Sequence, residues 1–217
     1  MTTTLLQAAV GAGKTEAALE RLTAVVNDTS RPFARIWVLL ATRRQEVAFR
    51  QRLTDLKGER VVYFNTEFFN FYTLNARVLN LAGEPQRLIN ASARTGLLRK
   101  VILDADTAGQ LPVFSSIAQT SGFVRVLGDL IDELKQNRVF PEDYHNAVET
   151  QKDRELAWLY ERYQTLLREN QLVDNEGEGW VALEAMQEDR IPPLGVDLLL
   201  VDGYDQFSPP QAGLLAQ

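Results

Sequence analysis

The first apolar cluster in the chain, Thr3 to Ala8, reads as a short buried strand. A Gly-rich turn follows, and then Lys14 to Asn27, where Ala17, Ala18, Leu22 and Val25 recur at the spacing of one helix face. Arg35 to Ala41 contains the unbroken run Ile36-Trp37-Val38-Leu39-Leu40, the continuous apolarity of a strand covered on both faces in a parallel sheet. Arg43 to Lys57 follows as a helix closed before Gly58, and Val61 to Phe64 supplies a third strand. Asn65 to Leu81 is aromatic-rich and ambiguous at its start. From about Phe71 the spacing of Leu74, Val78 and Leu81 favours a helix, closed near Gly83 and Pro85. There the alternation of strand and helix stops. From Ser92 to Asp189 the pattern predicts helices only, over 94–103, 113–136, 141–148, 153–170 and 176–187. Pro192-Pro193-Leu194-Gly195 ends that series, and Asp197 to Val201 returns to a buried strand. Ser208-Pro209-Pro210 caps a last helix that runs into Gln217. A chain that stops inside a helix reads as a fragment of a longer protein, with further sheet partners elsewhere.

Composition narrows the chemistry. The 217 residues are 45% hydrophobic and 24% charged, enough to bury a sizeable core in one or two domains, which excludes disorder as the main state. With no Cys and a single His, His145, there is no disulfide framework, no thiolate metal site and no Cys nucleophile. No apolar run is long enough to span a bilayer, and the N-terminus lacks the basic flank of a signal peptide, so the expectation is a cytoplasmic protein without membrane contact. The net charge of −6 argues against an all-over nucleic-acid binder but hides an asymmetry. Residues 1–128 carry 16 basic and 10 acidic side chains, whereas 129–189 carry 6 and 16. The N-terminal part could face phosphates; solvated helix faces of opposite sign explain the same counts.

Ala8-Ala9-Val10-Gly11-Ala12-Gly13-Lys14-Thr15 matches the phosphate-loop pattern, except that Ala8 stands for the first Gly, and it lies between an expected strand and helix. Gly11, Ala12 and Gly13 allow backbone N–H groups to wrap an anion, and the helix beginning near Lys14 adds its positive dipole end. Lys14 would reach the terminal phosphates of ATP, and Thr15 offers a hydroxyl to Mg2+. A Gly-rich turn beside a surface Lys is the plainer alternative. Such a site needs a carboxylate at the end of a second buried strand to hold Mg2+ through water, and Asp202 stands there. The next residue is Gly203, where hydrolytic motors of this architecture place a Glu to activate water, so hydrolysis lacks its usual base. Asp205 is a weak substitute, dependent on the turn between. A small-molecule kinase also uses this loop, but the long helical insertion fits it poorly.

Four segments together resemble the N-terminal helicase-like part of the AddB/RexB-type subunit of bacterial ATP-dependent helicase-nucleases, relatives of the UvrD/Rep and RecB helicases. They are Ala8 to Thr15 as motif I, Leu39-Leu40-Ala41-Thr42-Arg43-Arg44 as motif Ia, Asn70 to Leu74 with Ala76 to Leu79, and Val201 to Pro209 as motif II. The last is the most specific, because active helicases read Asp-Glu there and the AddB-like branch reads Asp-Gly-Phe followed by Phe-Thr-Pro. Gly122 to Lys135 and Leu159 to Asp174 also look like that family's helical insertion. The Asn70-Phe71-Tyr72 segment departs from the pattern by lacking the Thr and His of related helicases, and Asp205 stands where active helicases place Gln.

The resemblance implies an α/β fold: a RecA-like P-loop NTPase parallel sheet, residues 1–88 plus 195–217, with an all-helical inserted subdomain over 89–194. It implies DNA, single-stranded or at duplex ends, across the motif Ia surface. Thr42, Arg43 and Arg44 would meet phosphates there, with Arg50 and Arg52 as weaker candidates, and Phe71 and Tyr72 would stack on a base. It further implies an AddA-type helicase-nuclease subunit as partner, ATP and Mg2+ as cofactors, and no nuclease chemistry in these residues. Two other readings stay open: an active UvrD/RecB-type helicase whose base comes from elsewhere, and a scaffold that only binds DNA and a partner.

Overall fold

The computed structural model describes residues 3–55 and 65–217. They form an α/β structure with a three-stranded parallel sheet, in two compact units. The first comprises 1–74 with 193–206, and the second 75–192 with 207–217.

In the first unit, α1 (Lys14–Val26), β1 (Ile36–Leu40) and α2 (Arg43–Asp55) follow the expected order. β1 is flanked by β2 (Thr66–Phe69) and β3 (Leu198–Asp202), both parallel to it, with Val38 opposite Phe68 on one side and Leu200 on the other. Every β1 side chain is buried, as its unbroken apolar run predicts for a central parallel strand. Ile36, Val38 and Leu40 pack with Leu19, Leu22 and Val25 of α1 and Phe49 and Leu53 of α2. Trp37, on the alternate face, meets Phe69 edge-on and donates its indole N–H to Glu67. The turn after β3 is tied to β1 by Tyr204, whose hydroxyl donates to the Leu40 carbonyl at 3.0 Å. Burial pushes that phenol up to about 12, so it keeps the proton it donates.

Three expectations change here. Thr3 to Ala8 is not a strand: the segment is irregular and exposed, with Leu5 86% accessible. β3, beside which an added strand could lie, is an edge whose Leu199 and Val201 are themselves exposed. Ordering each residue costs about 1–2 kcal/mol, and so bare an edge gives too little burial in exchange. β3 alternates between half-buried and exposed positions instead of being buried throughout, because Leu198 and Leu200 face the core shared with α1 and α2 while Leu199 and Val201 lie on the opposite face. The strand expected over Val61 to Phe64 lies outside the described residues. β2 is built from the ambiguous stretch after it, with Asn65 in the left-handed region just before its start.

The second unit is helical: α4 (Ala91–Thr107), α5 (Ser121–Gln136), α6 (Pro141–Asn146), α7 (Gln151–Glu169), α8 (Asn175–Gln187) and α9 (Pro209–Ala216). The helix α3 (Phe71–Leu81) contains the division between the units. Phe123, Val124, Leu127 and Ile131 of α5 interlock with Leu98, Val101 and Ile102 of α4 and Leu159, Tyr160 and Tyr163 of α7. The helix expected from residue 113 begins only at Ser121, capped by the Thr120 hydroxyl on Phe123 N–H. The reason lies in α7: the Glu155 carboxylate, 2% exposed, accepts the N–H groups of Val113 and Phe114 and holds that stretch in turns. Residues 207–217 belong to this unit because α9 packs on α8, with Gly213 against Leu183. None of the described helices is long and apolar enough to cross a membrane.

Candidate functional site

The loop from Ala8 to Gly13 delivers the chain to the start of α1 through two left-handed glycines, Gly11 (φ +82°) and Gly13 (φ +85°). A Cβ at either would meet nothing within 4 Å, so backbone conformation, not crowding, makes these positions glycine. Gly13 caps α1 without a side chain, leaving the first-turn N–H groups of the helix to a ligand. Lys14 curls back over the loop, its Nζ donating to the carbonyls of Ala8 at 2.6 Å and Ala9 at 3.0 Å. Neither partner is charged, so an incoming anion competes only with two neutral acceptors for the ammonium.

Thr15, one residue on, donates its hydroxyl to Asp202 Oδ2 at 2.7 Å across 187 residues of sequence. Asp202 ends β3 opposite Leu40, and its other oxygen accepts the Gly203 N–H at 2.9 Å. The two residues expected to flank a cation therefore stand side by side, at the carboxyl end of parallel strands where α/β sheets place ligands. Among the described residues no group of three His, Cys, Asp or Glu side chains converges. A metal at this point would have one hydroxyl and one carboxylate from the protein, leaving the rest of its shell to water and phosphate, the pattern that suits Mg2+ and nucleotide.

A cavity of about 190 Å³ opens beside this pair, lined by Thr15, Asp202 and Gly203 and also by Gln45 and Arg52 of α2. Sequence reasoning misses Gln45 altogether and weighs Arg52 only as a phosphate contact for DNA. A larger cavity, about 860 Å³, lies in the helical unit around Phe140, Trp180 and Leu172 and shares no residue with the loop.

The candidate nucleic-acid residues are less uniform. Thr42 heads α2, accepting the Gln45 N–H at 3.2 Å and donating to Gln45 Oε1 at 3.1 Å. Arg43 and Arg44 beside it are exposed, Arg43 reaching Glu46 at 2.8 Å. Glu46 also takes Arg50, whose guanidinium lies 4.0 Å from the centre of the Phe68 ring. Tyr72 is half exposed, whereas Phe71 is buried edge-on against Tyr204 with ring centres 5.1 Å apart. A base reaching Phe71 would first have to displace Tyr204.

The family model described as "ADDB, N-terminal" matches residues 6–217. Similar proteins include the B-type subunit of an ATP-dependent helicase/deoxyribonuclease from Clostridium botulinum (strain Langeland), 25% identical over 94% of this chain and 18% of that protein. The like-named protein from Alkaliphilus metalliredigens is 28% identical over 70% of this chain and 14% of its own length, and that of Listeria welshimeri 24% identical over 96% and 18%. The chain thus spans less than a fifth of the length of these relatives. With the match running from Leu6 through Asp202 to Gln217, the chain belongs to the AddB family and corresponds to its N-terminal region.

Proposed function

We propose that this chain is the ATP-binding, helicase-like N-terminal part of an ATP-dependent DNA helicase-nuclease subunit. The whole protein would process DNA ends, single-stranded or duplex, in double-strand break repair and recombination, together with a second helicase-nuclease subunit of the AddA type. We read the first unit as a RecA-like fold on the strength of its parallel sheet, its glycine loop leading into α1, and the carboxylate ending β3.

The observation that carries this reading is the Thr15–Asp202 contact at the mouth of a loop held by Gly11 and Gly13. Gly11, Ala12 and Gly13 would present backbone N–H groups to the phosphates, with the Lys14 ammonium turning from the Ala8 and Ala9 carbonyls to the terminal oxygens. Thr15 and Asp202 would share Mg2+, which supplies charge neutralisation between the phosphates. Gly203 has no side chain to take a proton from water, so this part binds ATP without hydrolysing it by itself. Thr42, Arg43 and Arg44, with the exposed ring of Tyr72, form the face offered to DNA phosphates and bases.

The test is equilibrium titration of the full-length protein with a fluorescent ATP analogue and Mg2+, beside its Lys14→Ala variant. Binding in the parent that falls by about tenfold or more in the variant, the range for losing a charge-assisted contact, is the expected result. Equal affinity in both would remove the loop from the reading.

A further inference from the structure

The turn after β3 holds an arrangement that none of the sequence motifs accounts for. Gly203 is in the left-handed region (φ +84°), and a Cβ built on it would lie 2.5 Å from Gln45 Nε2, 2.8 Å from Gln45 Cδ and 2.9 Å from Gln45 Oε1. The carboxamide of Gln45 therefore lies flat on the bare face of Gly203, in the space a side chain at 203 would need. Its orientation is fixed from the other end. The Thr42 hydroxyl accepts the Gln45 backbone N–H and donates its own proton to Oε1, which leaves Nε2 as the donor end of the carboxamide. Gln45 lines the cavity of about 190 Å³ that Thr15 and Asp202 also line. One water needs roughly 10–15 Å³ of such space, so there is room for a ligand group between them.

We propose that Gln45 is a specificity-determining residue of the nucleotide site: its Nε2 donates to the terminal phosphate of bound ATP, a contact ADP cannot make. This rests on the reading of Thr15 and Asp202 as the Mg2+ position. A carboxamide at this point can donate to a phosphate oxygen but cannot take a proton from water. Gln45 thus fills the space a side chain at 203 would need and makes the site one that distinguishes ATP from ADP.

The experiment measures affinities of the full-length protein for fluorescent ATP and ADP analogues with Mg2+, in the parent and in Gln45→Ala, Gln45→Glu and Gly203→Ala. Gln45→Glu keeps the shape of the side chain and removes the donor. Gly203→Ala leaves Gln45 in the chain but forces it off the turn. Gln45→Ala is expected to weaken binding of the ATP analogue by about tenfold, the size of one hydrogen bond to a charged group, with ADP analogue affinity held within about twofold, and Gln45→Glu and Gly203→Ala to lower affinity for the ATP analogue more than for the ADP analogue. Equal losses for both nucleotides would reduce Gln45 to a packing role and overturn the proposal, as would ATP preference surviving in Gln45→Glu. A parent that binds neither nucleotide overturns the functional reading and this inference together. A parent that binds both equally overturns this inference alone.

Discussion

At the scale of single residues, the largest stake lies in the helical unit. Lys135, fully buried at the end of the apolar stripe of α5, donates to Asp174 Oδ1 at 2.5 Å and to Gln164 at 3.2 Å, with the Trp180 ring alongside. Asp174 also takes the Tyr163 hydroxyl and caps α8 through Gly177 N–H. Burial drives the Lys135 pKa down against the pull of Asp174. Burial also pushes Asp174 up, but the Lys135 charge and the three donors around the carboxylate outweigh it and hold that pKa below its usual value. A pair like this is worth little compared with an apolar substitute, yet costly to break from one side. Lys135→Met is expected to destabilise the unit by about 3–5 kcal/mol, read from the urea midpoint. Adding Asp174→Asn, which keeps the α8 cap, should recover part of that loss. A double variant as unstable as the sum of the two singles would show that the residues act independently and would overturn the role of the pair.

At the scale of elements, the turns over residues 111–119 depend on one carboxylate from α7. Glu155→Gln replaces an acceptor oxygen with an amide donor facing the N–H groups of Val113 and Phe114. The expected cost is about 1–3 kcal/mol, with amide exchange at 113 and 114 accelerated first; unchanged exchange there would refute the role. This element also shows where sequence reading stops. Ile36 to Leu40 announces β1 because a strand buried on both faces must be apolar throughout, and α1, α2 and α7 declare themselves by spacing. The late start of α5 is invisible, because it is set by Glu155, a residue far along the chain. The exposed Thr3 to Ala8 misleads for a related reason: an apolar run says that burial would be favourable, not that a covered edge exists to receive it. In the site, Gly11 to Thr15 are contiguous and legible as a motif, and Asp202 follows from a strand end. Gln45 carries no signal, since its importance arises only from the left-handed turn at Gly203.

At the scale of the whole molecule, the acid-rich segment 129–189 gives the helical unit its own pH dependence. Desolvation raises the pKa values of Asp132, Glu176 and Glu178, while Asp174 is depressed. A raised carboxyl group contributes stability that is full below its unfolded value, near 4, and is lost as pH rises through its folded value. The depressed Asp174 acts in the opposite sense, its contribution being present above the unfolded value and lost as pH falls through the folded one. Stability of this unit should therefore peak near the unfolded carboxylate value, falling as pH rises through the raised folded values of Asp132, Glu176 and Glu178 and falling again in stronger acid as Asp174 is protonated. Urea midpoints from about pH 3 to 8, followed by Trp158 and Trp180 in a Trp37→Phe background, would check this. A midpoint that climbs steadily to pH 7 would contradict it. The two cores are assembled from different stretches of chain, so Trp37, which sits on β1, reports the sheet unit separately.

The close approach of Gln45 to Gly203 has a consequence for how this chain can change over generations. Installing a glutamate at 203 alone meets both an occupied space and a left-handed backbone, and clearing Gln45 alone leaves a hole with no base to fill it. Each step is unfavourable without the other. A change at either position alone is thus disfavoured, and Gln45 and Gly203, far apart in the sequence, are expected to change together.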